Sequence, residues 1–280
     1  MPTGTLYIVA TPLGHMGDLS PRAAETLRTV HTVAAEDTRR TQGLLAAIDA
    51  HPRLLSYHAH STDRRADALL GLLADGKDVA LVSDAGTPAI SDPGVELVAL
   101  AREAGVRVVP IPGPSAVATA LSAAGQPGDR YLFLGFVPRK GKERKHLLER
   151  AAREEWTVVF FEAPPRVVEL LTDLAVLCGG DRTAVVAREL TKMHEELRSG
   201  TLDELARHYA DATPRGEVTL VLAGRGAQPE ERVEVDAAAV ALLVDEWLAA
   251  GESRKDIVRR VAARFNLPRN EAYRLVMDER

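Results

Sequence analysis

The strongest constraint on the fold is an alternation of short apolar runs with helical stretches over the first 225 residues. The apolar runs are rich in Val, Leu and Ile and are bounded by Gly, Pro, Asp or Ser, which is typical of buried strands. They are Thr5–Ala10, Asp78–Ser83, Val106–Pro110, Tyr131–Gly135, Thr157–Glu162, Thr183–Ala187 and Glu217–Ala223. Because helical stretches connect most of them, we predict an α/β fold with mostly parallel strand pairing.

Two segments that contain Gly and Pro interrupt the alternation of predicted strands and helices. Residues 125–129 resemble a hinge, and the polar, Pro-containing residues 224–234 resemble a linker. The last segment is helical throughout, and Ser253 with Asp256 three residues later forms a capping-box signature. The predicted domains are an α/β domain at 1–125, a second α/β domain at 126–225 and a helix-turn-helix-like bundle at 235–280.

Composition excludes several classes of protein. The single cysteine, Cys178, leaves no internal disulfide and no multi-thiolate zinc site. Aromatic residues make up 4% of the chain, which argues against binding of single strands on aromatic platforms. The N-terminus has neither a basic segment nor a long apolar run, so we expect a cytoplasmic protein with no membrane anchor. The net charge of -5 gives no hint of nucleic acid.

Three glycine-containing loops follow predicted strands. They are Thr11–Gly14, Ser83–Gly94 and Pro110–Ala116, and none contains Lys or Arg. Ligands of open parallel sheets bind beyond the carboxyl ends of the strands, and Asp and Ser side chains suit a cationic or hydroxyl-rich ligand. Motifs for nucleotide phosphates are missing from the sequence. Each loop alone would be interpreted as a capped tight turn, but three in one half favour a binding site.

Seven segments in order between residues 9 and 224 resemble a known family: VATPLGHMGDLSPRA, AAEDTRRTQGLL, LVSDAGTPAISDPG, PIPGPSA, FFEAPPRV, ARELTKMHEE and GEVTLVLAG. Together they resemble the tetrapyrrole-methylase superfamily of S-adenosylmethionine-dependent (class III) methyltransferases. Within it, the sequence is similar to the family of cytidine 2'-O-ribose methyltransferases of bacterial 16S rRNA.

The resemblance implies a two-domain α/β fold with S-adenosylmethionine in the cleft, a homodimer, and 16S rRNA within the small ribosomal subunit as substrate. It also implies cofactor contacts from matched positions in both domains. These are Leu13, Asp84, Gly86, Thr87, Ile90, Ser91, Ser115, Ala116, Phe161, Glu162, Ala163, Glu189, Glu217 and Thr219.

The expected reaction requires an aligned hydroxyl and an acceptor for its proton. Charged segments near predicted strand ends offer Asp37, Arg39, His58 and Lys192 as catalytic candidates. Asp37 with Arg39 can equally be a surface pair, and His58 can be structural. Lys192 can either deprotonate the hydroxyl or hold a phosphate. His58 and His60 lack a third metal ligand, so we predict no metal site.

Two segments are basic despite the acidic total. Residues 139–153 carry seven Lys or Arg against two Glu, and residues 251–280 carry eight against five Asp or Glu. Such patches can contact RNA phosphates, although a solvated helix face or a packing role is the simpler alternative. The predicted RNA-binding residues are Arg139, Lys140, Lys142, Arg144, Lys145, Arg254 and Lys255.

Two other functions fit the same pattern. One is a methyltransferase of this fold that acts on a tetrapyrrole precursor or a protein residue. The other is a regulator whose α/β part senses a ligand and whose helix-turn-helix binds DNA. Only the methyltransferases would turn over the cofactor.

Overall fold

The computed structural model describes residues 3–58, 63–211, 214–226, 237–265 and 269–277. The chain forms two compact units, residues 1–226 and residues 227–280. The first unit contains two five-stranded sheets, and the second is helical. This architecture confirms the predicted α/β fold with an additional helical bundle. The domain boundary near residue 125 and the bundle's start at residue 235 stay predictions.

The first sheet is entirely parallel, with strand order β3-β2-β4-β1-β5. Its elements are β1 (Thr5–Val9), α1 (Pro21–Thr29), β2 (Thr32–Ala35), α2 (Thr38–Ala47), β3 (Arg53–Ser56), α3 (Asp63–Ala74), β4 (Val79–Val82), α4 (Val95–Glu103), β5 (Arg107–Ile111) and α5 (Ala116–Ala123). The central strands β2 and β4 are buried along their whole length, as expected for strands covered on both faces. All carboxyl ends therefore meet at one edge of this sheet.

The second sheet is mixed, with strand order β6-β7-β10-β8-β9. Its elements are β6 (Tyr131–Phe136), α6 (Gly141–Arg153), β7 (Thr157–Glu162), α7 (Val167–Cys178), β8 (Thr183–Arg188), β9 (Glu196–Thr201), α8 (Leu202–Asp211) and β10 (Val218–Leu222). The strand β10 lies antiparallel between β7 and β8. The prediction of mostly parallel pairing was wrong for this sheet, because β10 enters it from the opposite end to β7 and β8.

The second unit contains α9 (Ala237–Ala249), α10 (Arg254–Phe265) and α11 (Arg269–Met277). Val240, Val244, Trp247 and Ile257 belong to its own buried core. The predicted capping box begins α10, where the Asp256 backbone N–H donates to Ser253 Oγ over 3.3 Å. Among the described residues, no helix has the length and apolar character needed to cross a membrane.

Candidate functional site

Hydrogen bonds tie together the three loops at the carboxyl edge of the first sheet. Thr11 and Gly86 exchange two backbone bonds, of 2.9 Å and 3.0 Å. The Thr87 hydroxyl donates to the Pro114 carbonyl over 3.1 Å. Gly113 lies so close to the first loop that an added Cβ would be 3.0 Å from the Ala10 Cβ. The loops form one cradle whose shape depends on close backbone approach.

The middle loop has an unusual backbone. Gly86 has a φ of +78°, and a Cβ there would lie 3.3 Å from the Leu13 side chain. Ala89 and Ser91 also have positive φ, at 67° and 64°. Such conformations cost energy for residues other than glycine and occur often where a loop holds a ligand.

A pocket of about 400 Å³ opens between this cradle and the second sheet. It is lined by every predicted cofactor residue except Glu189. The structure thus brings together residues from loops that are up to 206 positions apart, between Leu13 and Thr219. Several lining residues were not predicted as cofactor contacts: Glu36, Arg40, Ala85, Asp92, Val117, Phe136, Pro164, Gly216 and Val218.

Asp84 is held at the pocket by the junction between β2 and α2. Its Oδ1 accepts from the Asp37 backbone N–H over 3.0 Å, and its Oδ2 lies 3.6 Å from Arg40 Nη1. The Asp84 backbone N–H in turn donates to Glu36 Oε2 over 3.4 Å. These contacts fix a carboxylate in the wall of the pocket before any ligand arrives.

Asp92 and Glu36 add further acidic groups. Burial raises the pKa of Asp92 to about 6; the Ser83 hydroxyl opposes this shift, while Glu36, Asp84 and Glu217 add to it. Burial also raises the pKa of Glu36; the hydrogen bond from the Asp84 backbone N–H opposes this shift, while the charge of the Asp84 carboxylate adds to it. The crowding of carboxylates makes the pocket electronegative, which favours a cationic ligand.

Glu162 lines the pocket from the end of β7. Its side chain is fully buried and pairs through Oε1 with Arg166 and with the Ala163 backbone N–H. Its Oε2 is buried without a hydrogen-bond partner among the described residues. An unsatisfied buried oxygen is costly, so a ligand N–H or O–H at this point would be stabilised.

Apolar rings form another part of the wall. Phe161 packs against Phe133 with ring centroids 4.9 Å apart and against Phe136 at 5.4 Å. Phe136 remains 57% exposed at the end of β6. The pocket therefore combines acidic groups with an aromatic surface.

The structure places Asp37 and Arg39 outside the pocket lining. Asp37 caps α2 by accepting from the Arg39 backbone N–H over 2.8 Å, and its Oδ2 lies 2.9 Å from Arg39 Nη2. This side-chain bond lowers the pKa of Asp37 to about 2. The residues flanking the pair, Glu36 and Arg40, line the pocket instead. The geometry favours the surface-pair alternative for Asp37 and Arg39.

Lys192 sits at the junction of the two sheets. Its side-chain stem lies where a Cβ on Gly14 would be, and its Nζ is 3.0 Å from Glu189 Oε1 and 3.4 Å from Glu217 Oε2. Burial disfavours the ammonium ion, but the two carboxylates outweigh burial and raise the pKa of Lys192. A lysine that holds its proton so firmly is suited to hold a negative group and poorly suited to act as a base.

The structure describes one of the two histidines considered from the sequence. His58 follows β3, is exposed, and is not among the residues that line the pocket. His60 lies outside the described residues. In the described part of the chain, no group of three or more His, Cys, Asp or Glu is arranged to hold a metal ion.

Most of the predicted RNA-binding residues are exposed. Arg139, Lys140, Lys142 and Lys145 form what we call the α6 basic face, which begins three residues after Phe136 of the pocket wall. Arg254 and Lys255 are exposed at the start of α10.

Arg144 does not belong to the α6 basic face. Its side chain is 8% exposed and pairs with Asp173 at 2.7 Å. It also donates to the Pro138 carbonyl over 3.2 Å. Arg144 therefore joins α6 to α7 and is unavailable to a phosphate, which corrects its assignment to the RNA-binding set.

The burial of Arg144 could have been predicted from the sequence. Arg144 precedes Leu148 by four residues and Ala151 by seven, so all three share the buried face of α6. Glu36 and Arg40 are the sequence neighbours of the predicted Asp37 and Arg39. Only the direction in which each side chain points decides which of them line the pocket. Asp92 belongs to the second predicted loop, but its raised pKa depends on groups that are distant in sequence.

Comparison with known proteins identifies relatives that share more than 40% sequence identity over most of this chain. The family model of Tetrapyrrole (Corrin/Porphyrin) Methylases matches residues 5–206. A "Ribosomal RNA small subunit methyltransferase I" from Synechocystis sp. is 44% identical over 275 residues, covering 98% of both chains. Proteins of the same name from Pseudomonas aeruginosa and Mycobacterium tuberculosis are each 45% identical, covering 87% and 94% of this chain and 86% and 90% of their own lengths.

Solved structures share the fold at low sequence identity. A diphthine synthase is 18% identical with a TM-score of 0.63, covering 79% of this chain and 90% of its own. The cobalt precorrin-4 methyltransferase is 19% identical with a TM-score of 0.60, covering 78% and 94%. A uroporphyrin-III C-methyltransferase from Thermus thermophilus, complexed with S-adenyl homocysteine, is 19% identical with a TM-score of 0.58, covering 79% and 97%.

Proposed function

Because the chain belongs to the ribosomal RNA small subunit methyltransferase I family, we propose that it methylates the 2'-oxygen of a cytidine ribose in 16S rRNA. S-adenosylmethionine is the methyl donor. The observation that carries this proposal is the 44% identity to a named relative over 98% of both chains. We further propose a cytoplasmic homodimer that acts on the assembled small subunit.

The pocket residues fit the cofactor. S-adenosylmethionine supplies, when bound, an electrophilic methyl group on a positively charged sulfur. The carboxylates of Glu36, Asp84 and Asp92 provide negative potential for that charge. The unpartnered Glu162 Oε2 can accept a hydrogen bond from an amino or hydroxyl group. Gly113 lets the third loop approach the first, since an added Cβ would lie 3.0 Å from the Ala10 Cβ.

The chain's own residues must align the hydroxyl and receive its proton. Methyl transfer forms a bond between carbon and the 2'-oxygen while the bond between carbon and sulfur breaks, and the hydroxyl proton is released. Asp37, with its pKa near 2, is a weak acceptor for this proton. Asp92 has a pKa of about 6 and lines the pocket, so it is the better matched carboxylate. Lys192 stays charged and is suited to hold a backbone phosphate.

The residue assignments follow from this reasoning. The cofactor residues predicted from sequence are proposed as contacts, with Glu189 acting one step away through its bonds to Glu217 and Lys192. The catalytic roles of Asp37, Arg39, His58 and Lys192 stay predictions. The exposed basic residues on α6 and α10 are proposed to contact RNA.

Incubation with methyl-labelled S-adenosylmethionine tests the proposal. The substrates are small ribosomal subunits that lack the modification and the corresponding naked rRNA. We expect label in a single cytidine ribose after nuclease digestion, and transfer to subunits above transfer to naked rRNA. Absence of ribose label in both substrates would show that the proposed reaction is wrong.

A further inference from the structure

A second cavity, of about 430 Å³, lies beside β8 and β9 of the second sheet. We call it the arginine pocket and define it by Arg188, His194, Arg198, His208, Tyr209 and Arg215. It draws these residues from the end of β8, from the segment between β8 and β9, from β9, from α8 and from the segment that follows α8. None of them lines the pocket of about 400 Å³ at the first sheet, which we call the cofactor pocket. A ligand of the cofactor pocket therefore does not account for this second cavity.

The arginine pocket is electropositive. Its three arginines and two histidines face two carboxylates, Glu189 and Glu196. Glu196 accepts from the Nε atoms of both Arg188 and Arg198, the latter over 3.1 Å. Arg215 is exposed and makes no ion pair within the described residues. Because Glu196 engages the Nε atoms and Glu189 is engaged by Lys192, the positive groups outnumber the free negative ones.

Tyr209 supplies a buried donor at the same place. The residue is 2% exposed, and its hydroxyl hydrogen has no acceptor within the described part of the chain. Burial raises the pKa of Tyr209 to about 12, with Glu196 adding to the shift while Arg198 and Arg188 oppose it. The hydroxyl therefore keeps its proton at neutral pH. A buried donor without an acceptor destabilises the folded protein, and an anionic oxygen in the cavity would offset that cost.

Two contacts connect the arginine pocket to the cofactor pocket. Glu189 lines the arginine pocket, and its backbone N–H donates to the Glu217 carbonyl over 3.0 Å. Glu189 Oε1 accepts from the Glu217 backbone N–H, also over 3.0 Å. Glu217 itself lines the cofactor pocket. A polymer that reaches the cofactor pocket can therefore reach the arginine pocket along the same surface.

We propose that the arginine pocket binds a phosphate of the RNA backbone. The inference rests on the proposed function and adds a second point of contact for its substrate. A phosphate has several acceptor oxygens, and arginine forks bind such groups with charge-assisted bonds. Arg215 provides the free cation and the Tyr209 hydroxyl provides a neutral donor, while the Arg188–Glu196–Arg198 network holds the cavity in shape.

Two variants test the proposal in the full-length protein. Arg215→Gln removes the unpaired cation, and Tyr209→Phe removes only the hydroxyl. The matched control is Arg207→Gln, since Arg207 is exposed on α8 and its Nε donates to the Asp203 carbonyl, outside the cavity. Binding to unmodified small subunits is measured by filter retention at several salt concentrations. KM and kcat for methyl transfer, and cofactor affinity by calorimetry, complete the set.

For Arg215→Gln we expect KM for subunits to rise about three- to tenfold and the slope of log K against log salt to fall by about one. For Tyr209→Phe we expect KM to rise about threefold with no loss of thermal stability, because the change removes an unsatisfied donor. The kcat and the cofactor affinity should match those of the parent protein in both variants. Arg207→Gln should leave KM unchanged.

Some outcomes would overturn the proposal. It fails if Arg215→Gln and Arg207→Gln have the same KM and the same salt slope. It also fails if inorganic phosphate raises the melting temperature of the parent protein but not of Arg215→Gln while KM for subunits is unchanged, because the site would then take a small phosphate compound. If the parent protein binds subunits but transfers no methyl group, the proposed function fails, whereas the salt slopes still decide the arginine pocket.

Discussion

The cofactor pocket and the arginine pocket are neighbours with opposite charge. Five carboxylates and one arginine line the first, whereas three arginines and two histidines face two glutamates in the second. The bonds between Glu189 and Glu217 mark the border. A positively charged small molecule and a negatively charged polymer can therefore be bound side by side, each by the electrostatics that suits it.

The two pockets also differ in how their acidic and basic groups are held. In the cofactor pocket, Asp84 is fixed by the Asp37 backbone and by Arg40, and Glu162 is fixed by Arg166. In the arginine pocket, Arg215 is exposed and forms no ion pair with any residue that the structure describes. The difference fits a preorganised site for the proposed cofactor and longer-range attraction of the proposed RNA substrate.

The largest effect should come from removing the anchored carboxylate. Asp84→Ala is expected to weaken S-adenosylmethionine binding roughly 10- to 100-fold, since a charge-assisted contact contributes about 1.5–3 kcal/mol. Calorimetry measures the affinity, and a thermal melt checks the fold. Asp75→Ala, an exposed change outside the pocket, serves as the control. Equal affinities for Asp84→Ala and the control would contradict the acidic character assigned to the cofactor site.

Substitution of Arg144 tests whether this arginine stabilises the fold or binds RNA. Arg144→Gln should lower the free energy of unfolding by about 2 kcal/mol, because it leaves Asp173 and the Pro138 carbonyl without their partner. Since Asp173 is partly exposed, the effect should be smaller than for a fully buried pair. Denaturant unfolding measures the change, with Arg150→Gln as the exposed control on the same helix. An unchanged midpoint would return Arg144 to the set of possible RNA contacts.

The fold was predictable where apolar runs are continuous. The strands β4 and β7 are buried almost throughout, and their sequences indicate them clearly. The strands β3 and β9 lie at sheet edges and are half-exposed, so their mixed sequences gave no strand signal. The antiparallel insertion of β10 could not be predicted, because β7 and β8 obey the parallel crossover rule and only tertiary packing separates them.

The grouping of the proposed cofactor residues around one pocket was predictable for a different reason. The motif resemblance placed its loops in order, and the parallel sheet brings their ends to one edge. The catalytic candidates were harder, because local spacing does not say whether Asp37 or Glu36 points into the pocket. The arginine pocket had no sequence signal, since its residues are individually ordinary and only the fold brings Arg188 and Arg215 together.

The α6 basic face tests whether the electropositive region extends beyond the arginine pocket. Replacing Arg139, Lys140, Lys142 and Lys145 by Gln should raise KM for the subunit about tenfold and lower the salt slope by about two to four. The cofactor affinity should stay at the parent value. Steady-state kinetics at several salt concentrations measure the effect. A parent-like KM would mean that these side chains form only a solvated helix face.

The smallest expected effect concerns Asp92 and pH. Since its pKa is raised from 3.8 to about 6, Asp92 is mostly protonated at pH 5 and mostly ionised at pH 7. The ionised form attracts a cationic cofactor, so affinity should increase about three- to tenfold as pH rises from 5 to 7.

Asp92→Asn separates this group from its acidic neighbours. Glu36, whose pKa is also raised, titrates in the same direction, so the variant should flatten the pH dependence and leave a weaker residual slope. By linkage, cofactor binding must lower the pKa of Asp92 as much as ionisation of Asp92 strengthens binding. Calorimetry at pH 5, 6 and 7 measures both proteins. An equally steep dependence in Asp92→Asn would transfer the titration to Glu36 and leave Asp92 a structural partner of Ser83.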